Sequence, residues 1–244
     1  MGLAVLLSLV AAIATVGGGV FVLRHFGSRI IWLRSFLAFG AGFLLAAGLL
    51  AMLPHAFEKM GAKAAFLVLL GYLMTHLFEH TLVPHFHFGE ETHGEAEQLG
   101  THSFLAATGG MIVHSLFDGV AIGSGFVLDK RLGWLLFLAI ALHKLPDGFT
   151  VASLGIASGQ SPRAALVAVS LLGVATLIGT VGISLLAGWA APALALSGGV
   201  ALYVAATDLM PEVNRQHGVR WSAMVFAGVL AFYLGEYILH LVGE

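Results

Sequence analysis

The chain has 244 residues, of which 59% are hydrophobic and only 10% charged, with a formal net charge of -2 when its twelve histidines are neutral. A soluble domain carries about 25% charged residues, so the composition belongs to a membrane protein, and a charge so near zero argues against a nucleic-acid partner. There are no cysteines, which excludes disulfides and thiolate metal sites and leaves His, Met and carboxylates to bind any metal.

Apolar runs of about 20 residues, the length that crosses a bilayer core, recur eight times. They fall at roughly 2–23, 33–54, 62–83, 103–128, 132–157, 164–188, 193–213 and 220–242. The first has no Lys or Arg before Arg24, unlike the charged start of a secretory signal peptide, and reads as a membrane helix. Leu6 stands where myristoylation wants Ser or Thr. Span 2 ends at Pro54, with His55 and Glu58 just beyond as a candidate exit station. Span 3 ends with His76, Glu79 and His80 at i, i+3, i+4, spaced for a metal path or a proton relay. Residues 84–102 then hold His85, His87, His93 and His102 with four glutamates and no Lys or Arg. That composition suggests a loop that binds metal loosely. The remaining connections are short, so the expected organisation is one membrane domain of eight helices, three before this loop and five after it.

Span 4 contains HSLFDG and span 5 contains HKLPDG. Span 7 closes on Asp208-Leu-Met-Pro211 followed by Glu212, and span 8 carries Glu236 and His240. Odd-numbered loops hold Arg24, Arg29, Arg34, Arg163, Arg215 and Arg220, against Lys59, Lys63, Lys130 and Arg131 in the even ones. The excess favours termini outside and the His-rich loop in the cytoplasm.

Spans 2 and 7 read alike, both ending in a Leu/Met-Pro step followed by polar residues. Spans 3 and 8 align when His76 is set against Glu236 and His80 against His240. Three helices repeated after an odd number of crossings are inverted in the membrane, the arrangement of many transporters, with the site at mid-depth between the repeats. Spans 4 and 5 lie there.

His114 and Asp118 are four residues apart, as are His143 and Asp147, so each pair shares a helix face. Both pairs fall mid-span, and antiparallel neighbours bring two imidazoles and two carboxylates to one depth. Zn²⁺ takes such an N/O ligand set, and Mn²⁺ or Fe²⁺ is compatible with it. Pro146 cannot donate to the carbonyl of Leu142 and bends the helix. Gly119 and Gly148 let neighbouring helices approach, and Gly119 with Gly123 makes a small-xxx-small step. The bland reading is a set of interhelical hydrogen bonds, but ionisable groups inside a membrane are first a functional hypothesis. A metal-dependent hydrolase and a metal-free carrier of an organic substrate are the other readings. No HExxH motif is present.

These residues resemble the ZIP family of zinc/iron-regulated divalent metal permeases. HSLFDG, HKLPDG, the acid before Pro211 and the His-rich loop after span 3 carry the resemblance, which extends over nearly the whole chain. It implies an all-α polytopic fold with a 3+2+3 arrangement and inverted outer repeats. It also implies a multi-pass protein of the cell (inner) membrane that moves a divalent ion toward the cytoplasm by alternating access. His114, His143 and Asp147 would then be primary ligands, Asp118 a ligand or pathway residue, and Asp208 a lining residue of the entrance. Where many members place ligands for a second ion, this chain has Ser115, Lys144 and no carboxylate in span 6, so Lys144 would stand in for that ion. Where some bacterial relatives offer Met in span 2, Phe43 or Leu44 stands here. The cargo expected is zinc, with Fe, Mn, Co and Cd compatible. No cofactor and no enzymatic activity are expected, and the partners are the metal ion and the lipid bilayer, with a homodimer left open. The ion would leave past the polar residues of spans 2 and 3 toward the His-rich loop.

Overall fold

The computed structural model describes residues 1–25, 31–82, 101–215 and 217–242, and these are helical almost throughout. Eight long helices follow one another: α1 (Gly2–His25), α2 (Ile31–Ala46, carried on through 47–60), α3 (Lys63–Leu82) and α4 (Thr101–Leu128), then α5 (Lys130–Ala157), α6 (Pro162–Leu185), α7 (Ala190–Tyr203, carried on through 204–214) and α8 (Val219–Val242). Among the described residues, seven are long and apolar enough to cross a membrane. The other is α3, which carries Thr75, His76 and Glu79 in its second half. The His-rich residues His85, His87 and His93 lie outside the described residues, as does the side chain of His80; His102 is exposed at the start of α4.

Local chemistry sets the helix ends. Asp129 caps α5, accepting from the backbone N–H of Arg131 at 2.7 Å and of Leu132 at 3.0 Å, and Ser161 accepts from Ala164 at 3.2 Å ahead of Pro162 at the start of α6. Such caps satisfy backbone donors that the first helical turn leaves unpaired. Span 2 runs six residues beyond the expected end at Pro54, to Met60. A wide π-turn over Ala47–Met52 precedes the proline and takes up its missing donor. The same device recurs at Val204–Leu209 ahead of Pro211.

The inverted repeat is directly visible in the packing. α1 runs against α6 in the opposite sense, with Ser8 meeting Thr180 (Oγ–Oγ1 2.6 Å) and Ala12 meeting Gly173. α2 runs against α7 likewise, with Gly48 facing Leu202 and Gly198 facing Met52. Glycines fix the remaining pairings, because a Cβ there would strike the neighbour's backbone. Gly42 of α2 faces Val225 of α8 as Gly199 of α7 faces Val68 of α3, and Gly228 faces Phe39 as Gly71 faces Leu196. Whereas α1 and α6 keep their own offset, Gly18 matching Gly179 and Thr15 matching Thr176, each of these residues in α2 and α3 is separated from its mate in α7 and α8 by the same number of residues as Pro54 is from Pro211. That register sets Glu79 against Glu236 and His76 against Tyr233. The sequence alignment of His76 with Glu236 therefore slips by nearly one helical turn, an easy error where apolar helices resemble themselves at that period.

At the centre α4 and α5 obey the same symmetry. Gly119 of α4 lies on the Thr176 carbonyl of α6 and Gly148 of α5 on the Thr15 carbonyl of α1; in return Gly179 lies on the Leu116 carbonyl and Gly18 on that of Leu145. Helix α5 continues unbroken through Pro146, and the Leu142 carbonyl, deprived of its helical donor by the proline, lies against Gly40 of α2. Freed backbone at membrane depth persists where protein covers it.

Candidate metal-ion site

His114, Asp118, His143 and Asp147 come together, with one ligand atom from each within 4.8 Å of all the others, and all four are buried. The Oδ2 of Asp118 is the hub. It lies 3.2 Å from His114 Nε2 and 3.4 Å from His143 Nε2. Asp147 Oδ2 lies 3.8 Å from His114 Nε2. The two rings are 5.6 Å apart between centroids.

The histidine chemistry fits a metal. His143 donates from Nδ1 to the Ala139 carbonyl at 3.0 Å, which leaves the Nε2 lone pair of a neutral ring pointing at Asp118. A lone pair facing a carboxylate calls for a cation or a proton between them. His114 makes no hydrogen bond through either ring nitrogen among the described residues, although it is 7% exposed. A buried polar group without a partner is costly, and a bound ion would supply that partner.

Lys144 completes the cluster and is fully buried. Its ammonium lies 2.5 Å from Asp118 Oδ2 and 3.1 Å from Asp147 Oδ2, and it donates to Ser115 Oγ at 2.9 Å. Ser115 and Lys144 thus belong to one network with both carboxylates.

One cavity, of about 110 Å³, reaches the cluster. His114 and Asp147 line its inner end, and Glu79, Thr75, Thr150 and Asp208 line its walls. Its lining lies in the half of the bundle where α3 finishes and α4 begins. On the other side of the cluster, Ile122, Leu136, Ala139 and Ile140 are buried in the main apolar core with Ala47, Ala51 and Met52. Among the described residues, the cluster thus has a cavity on one side and apolar packing on the other.

That geometry sorts the remaining expected pathway residues. Glu79 and Asp208 share the cavity, and the Tyr203 hydroxyl hydrogen-bonds to Glu79. Asp208 therefore lies on the side of the His-rich loop; with that loop cytoplasmic it lines an exit, not the entrance expected of it. His76 is exposed beside this group, its ring 6.0 Å from that of Tyr203. His55 donates to the Ala51 carbonyl at 2.8 Å, and Glu58 is exposed one turn on. Both sit where α2 meets α3, at the end of the bundle opposite the cavity, so with the His-rich loop cytoplasmic they lie on the side opposite an exit. Glu236 and His240, exposed near the end of α8, occupy that opposite end too. Tyr203 had no sequence signal, since a tyrosine in an apolar run reads as packing.

A model of the ZIP zinc transporter family matches residues 87–242. Zinc transporter GufA of Myxococcus xanthus is 31% identical over 192 residues, covering 72% of this chain and 74% of that protein. Zinc transporter foi of Drosophila melanogaster is 27% identical over 157 residues, which are 62% of this chain and 20% of the fly protein. Zinc transporter ZIP9 of Micropogonias undulatus is 28% identical over 66% of this chain and 54% of its own length. The chain thus spans about a fifth and about half of these two animal relatives. The hydrolase reading finds no support among them. With the family match running from the His-rich loop through α8, over the whole of the buried His/Asp cluster, this chain belongs to the ZIP zinc transporter family.

Proposed function

We propose that the chain carries a divalent metal ion, zinc first, across the membrane into the cytoplasm, with His114, Asp118, His143 and Asp147 as its mid-membrane ligands. One observation carries the reading: a single carboxylate oxygen, Asp118 Oδ2, faces the Nε2 atoms of two buried histidines from two antiparallel helices. Two nitrogens and two carboxylates suit Zn²⁺ and leave Fe²⁺, Mn²⁺, Co²⁺ and Cd²⁺ as further cargo. Borderline ligands without thiolate also suit release, because a transported ion must leave as readily as it arrives.

The chain sits in the inner membrane with its termini outside, a topology favoured by the basic residues of its odd-numbered loops. The ion arrives from outside while the apolar seal over Ile122 and Ile140 is open. It exchanges its water for the four ligands and leaves through the cavity past Asp208 and Glu79. The histidines of 84–102 then collect it weakly in the cytoplasm. Alternating access supplies the two states, and the cavity lined by Glu79 and Asp208 supports an exit on the side of the His-rich loop.

The test is zinc uptake by proteoliposomes holding the purified protein, native against His143→Ala. Saturable native uptake that His143→Ala abolishes supports the reading. Uptake that survives in His143→Ala refutes the assignment of the site, and no uptake of any divalent ion by the native chain refutes transport.

A further inference from the structure

The ammonium of Lys144 holds the very oxygens that an incoming ion needs. Asp118 Oδ2 is the atom that both imidazoles face, and Lys144 sits 2.5 Å from it. Asp147 Oδ2, the carboxylate oxygen facing His114, is 3.1 Å from the same nitrogen. A lysine ammonium has three donors, and the third goes to Ser115 Oγ at 2.9 Å. Lys144, the two carboxylates and Ser115 thus form one closed network, and of the two rings beside it His114 alone makes no hydrogen bond.

A doubly charged ion and an ammonium repel when they share one oxygen in a medium of low dielectric. Binding must then move the ammonium off Asp118, and Ser115 lies within its reach as the atom to retreat toward. Lysine suits this exchange, because its charge is compact and rides on a flexible four-carbon stem.

We infer that Lys144 is a tethered competitor: it gives way when the ion binds, returns to displace the ion on release, and cuts the charge of the unloaded site from two negative charges to one so that the empty carrier can reorient without a coupling ion. An unloaded site with two bare carboxylates would be a buried, uncompensated charge, costly to carry through the sealed intermediate of alternating access. The inference rests on the transport reading above and goes beyond it. It makes Lys144 a positioning residue, acting on the ion through Asp118 and Asp147, and it assigns the return step to a side chain.

The experiment compares native protein with Lys144→Met and Lys144→Arg in proteoliposomes, in two modes. Net zinc uptake requires the empty carrier to return; exchange of radioactive zinc for internal zinc does not. Lys144→Met should bind zinc at least tenfold more tightly, keep exchange, and lose at least tenfold in net uptake, while Lys144→Arg keeps both modes. A residue that only braced the fold would lower both modes together, and that result overturns the inference, as does weaker zinc binding by Lys144→Met. Should Lys144→Met not fold, the native protein decides. The reversal potential of its zinc flux should correspond to two charges per zinc and stay unmoved by sodium or proton gradients. A shift with either gradient overturns the inference. Absence of both modes in the native chain would instead bring down the transport reading and this inference with it.

Discussion

Glycine substitutions at the helix crossings test the packing that positions the site, and the structure sorts them into two classes. A Cβ at Gly148 would run into the Thr15 carbonyl of α1, and one at Gly119 into the Thr176 carbonyl of α6. A Cβ at Gly109 or Gly182 meets nothing within 4 Å. Alanine in a helix gains up to about 1 kcal/mol over glycine. Overpacking against a rigid neighbour costs about 1–3 kcal/mol, and here the neighbour is backbone, which cannot swing aside as a side chain would. Gly109→Ala and Gly182→Ala should therefore be neutral or slightly stabilising. Gly148→Ala and Gly119→Ala should fall below them by about 1–3 kcal/mol. At roughly 2–4 °C per kcal/mol for a chain of this size, the classes separate by several degrees in detergent melting. Each crowded glycine follows a ligand aspartate, so the same two variants should also bind zinc more weakly by equilibrium dialysis. The pseudo-two-fold makes a stricter demand, that Gly119→Ala and Gly148→Ala lose similar amounts. If Gly148→Ala melts with Gly182→Ala, the close contact between α1 and α5 is not what holds Asp147 in place.

Zinc at a hundred times its dissociation constant should stabilise the native chain by about 2.7 kcal/mol, and His143→Ala should melt at the same temperature with and without zinc. Ligation needs neutral imidazoles, whose unperturbed pKa is about 6.5. Protonation removes the ligand lone pair, so binding is present above that range and is lost as pH falls through it, by up to about tenfold per pH unit for each histidine. Dialysis between pH 8 and pH 5 reads the slope, and affinity that rises toward acid would contradict a His-ligated site. Asp208→Asn should leave zinc affinity within about twofold, since Asp208 lies in the cavity wall outside the four ligands. It should still slow net uptake, a combination seen by measuring binding and flux on one preparation.

Much of this protein was legible in its sequence, for physical reasons that are local. Hydrocarbon demands runs of about 20 apolar residues, so the spans announce themselves. Spacing of i, i+4 puts His114 with Asp118, and His143 with Asp147, on one face wherever those helices go. Inversion followed from counting crossings. Other features waited for the tertiary structure, because they depend on how one helix lies against another. The alignment of α3 with its repeat mate α8 could not be read from apolar segments that match at several offsets, and only the glycine contacts of α3 with α7 and of α8 with α2, at Gly71, Gly199 and Gly228, fixed it. The continuation of α2 past Pro54 needed the π-turn at Ala47–Met52, a hydrogen-bond shift with no signature in residue type. Asp208 and His55 were assigned to path positions by their place next to prolines, yet they lie at opposite ends of the bundle. Which side of the cluster holds a cavity is a matter of packing: Ile122, Leu136 and Ile140 fill one side, and on the other Glu79 and Asp208 line a cavity that exists only once α3, α4, α5 and α7 are assembled.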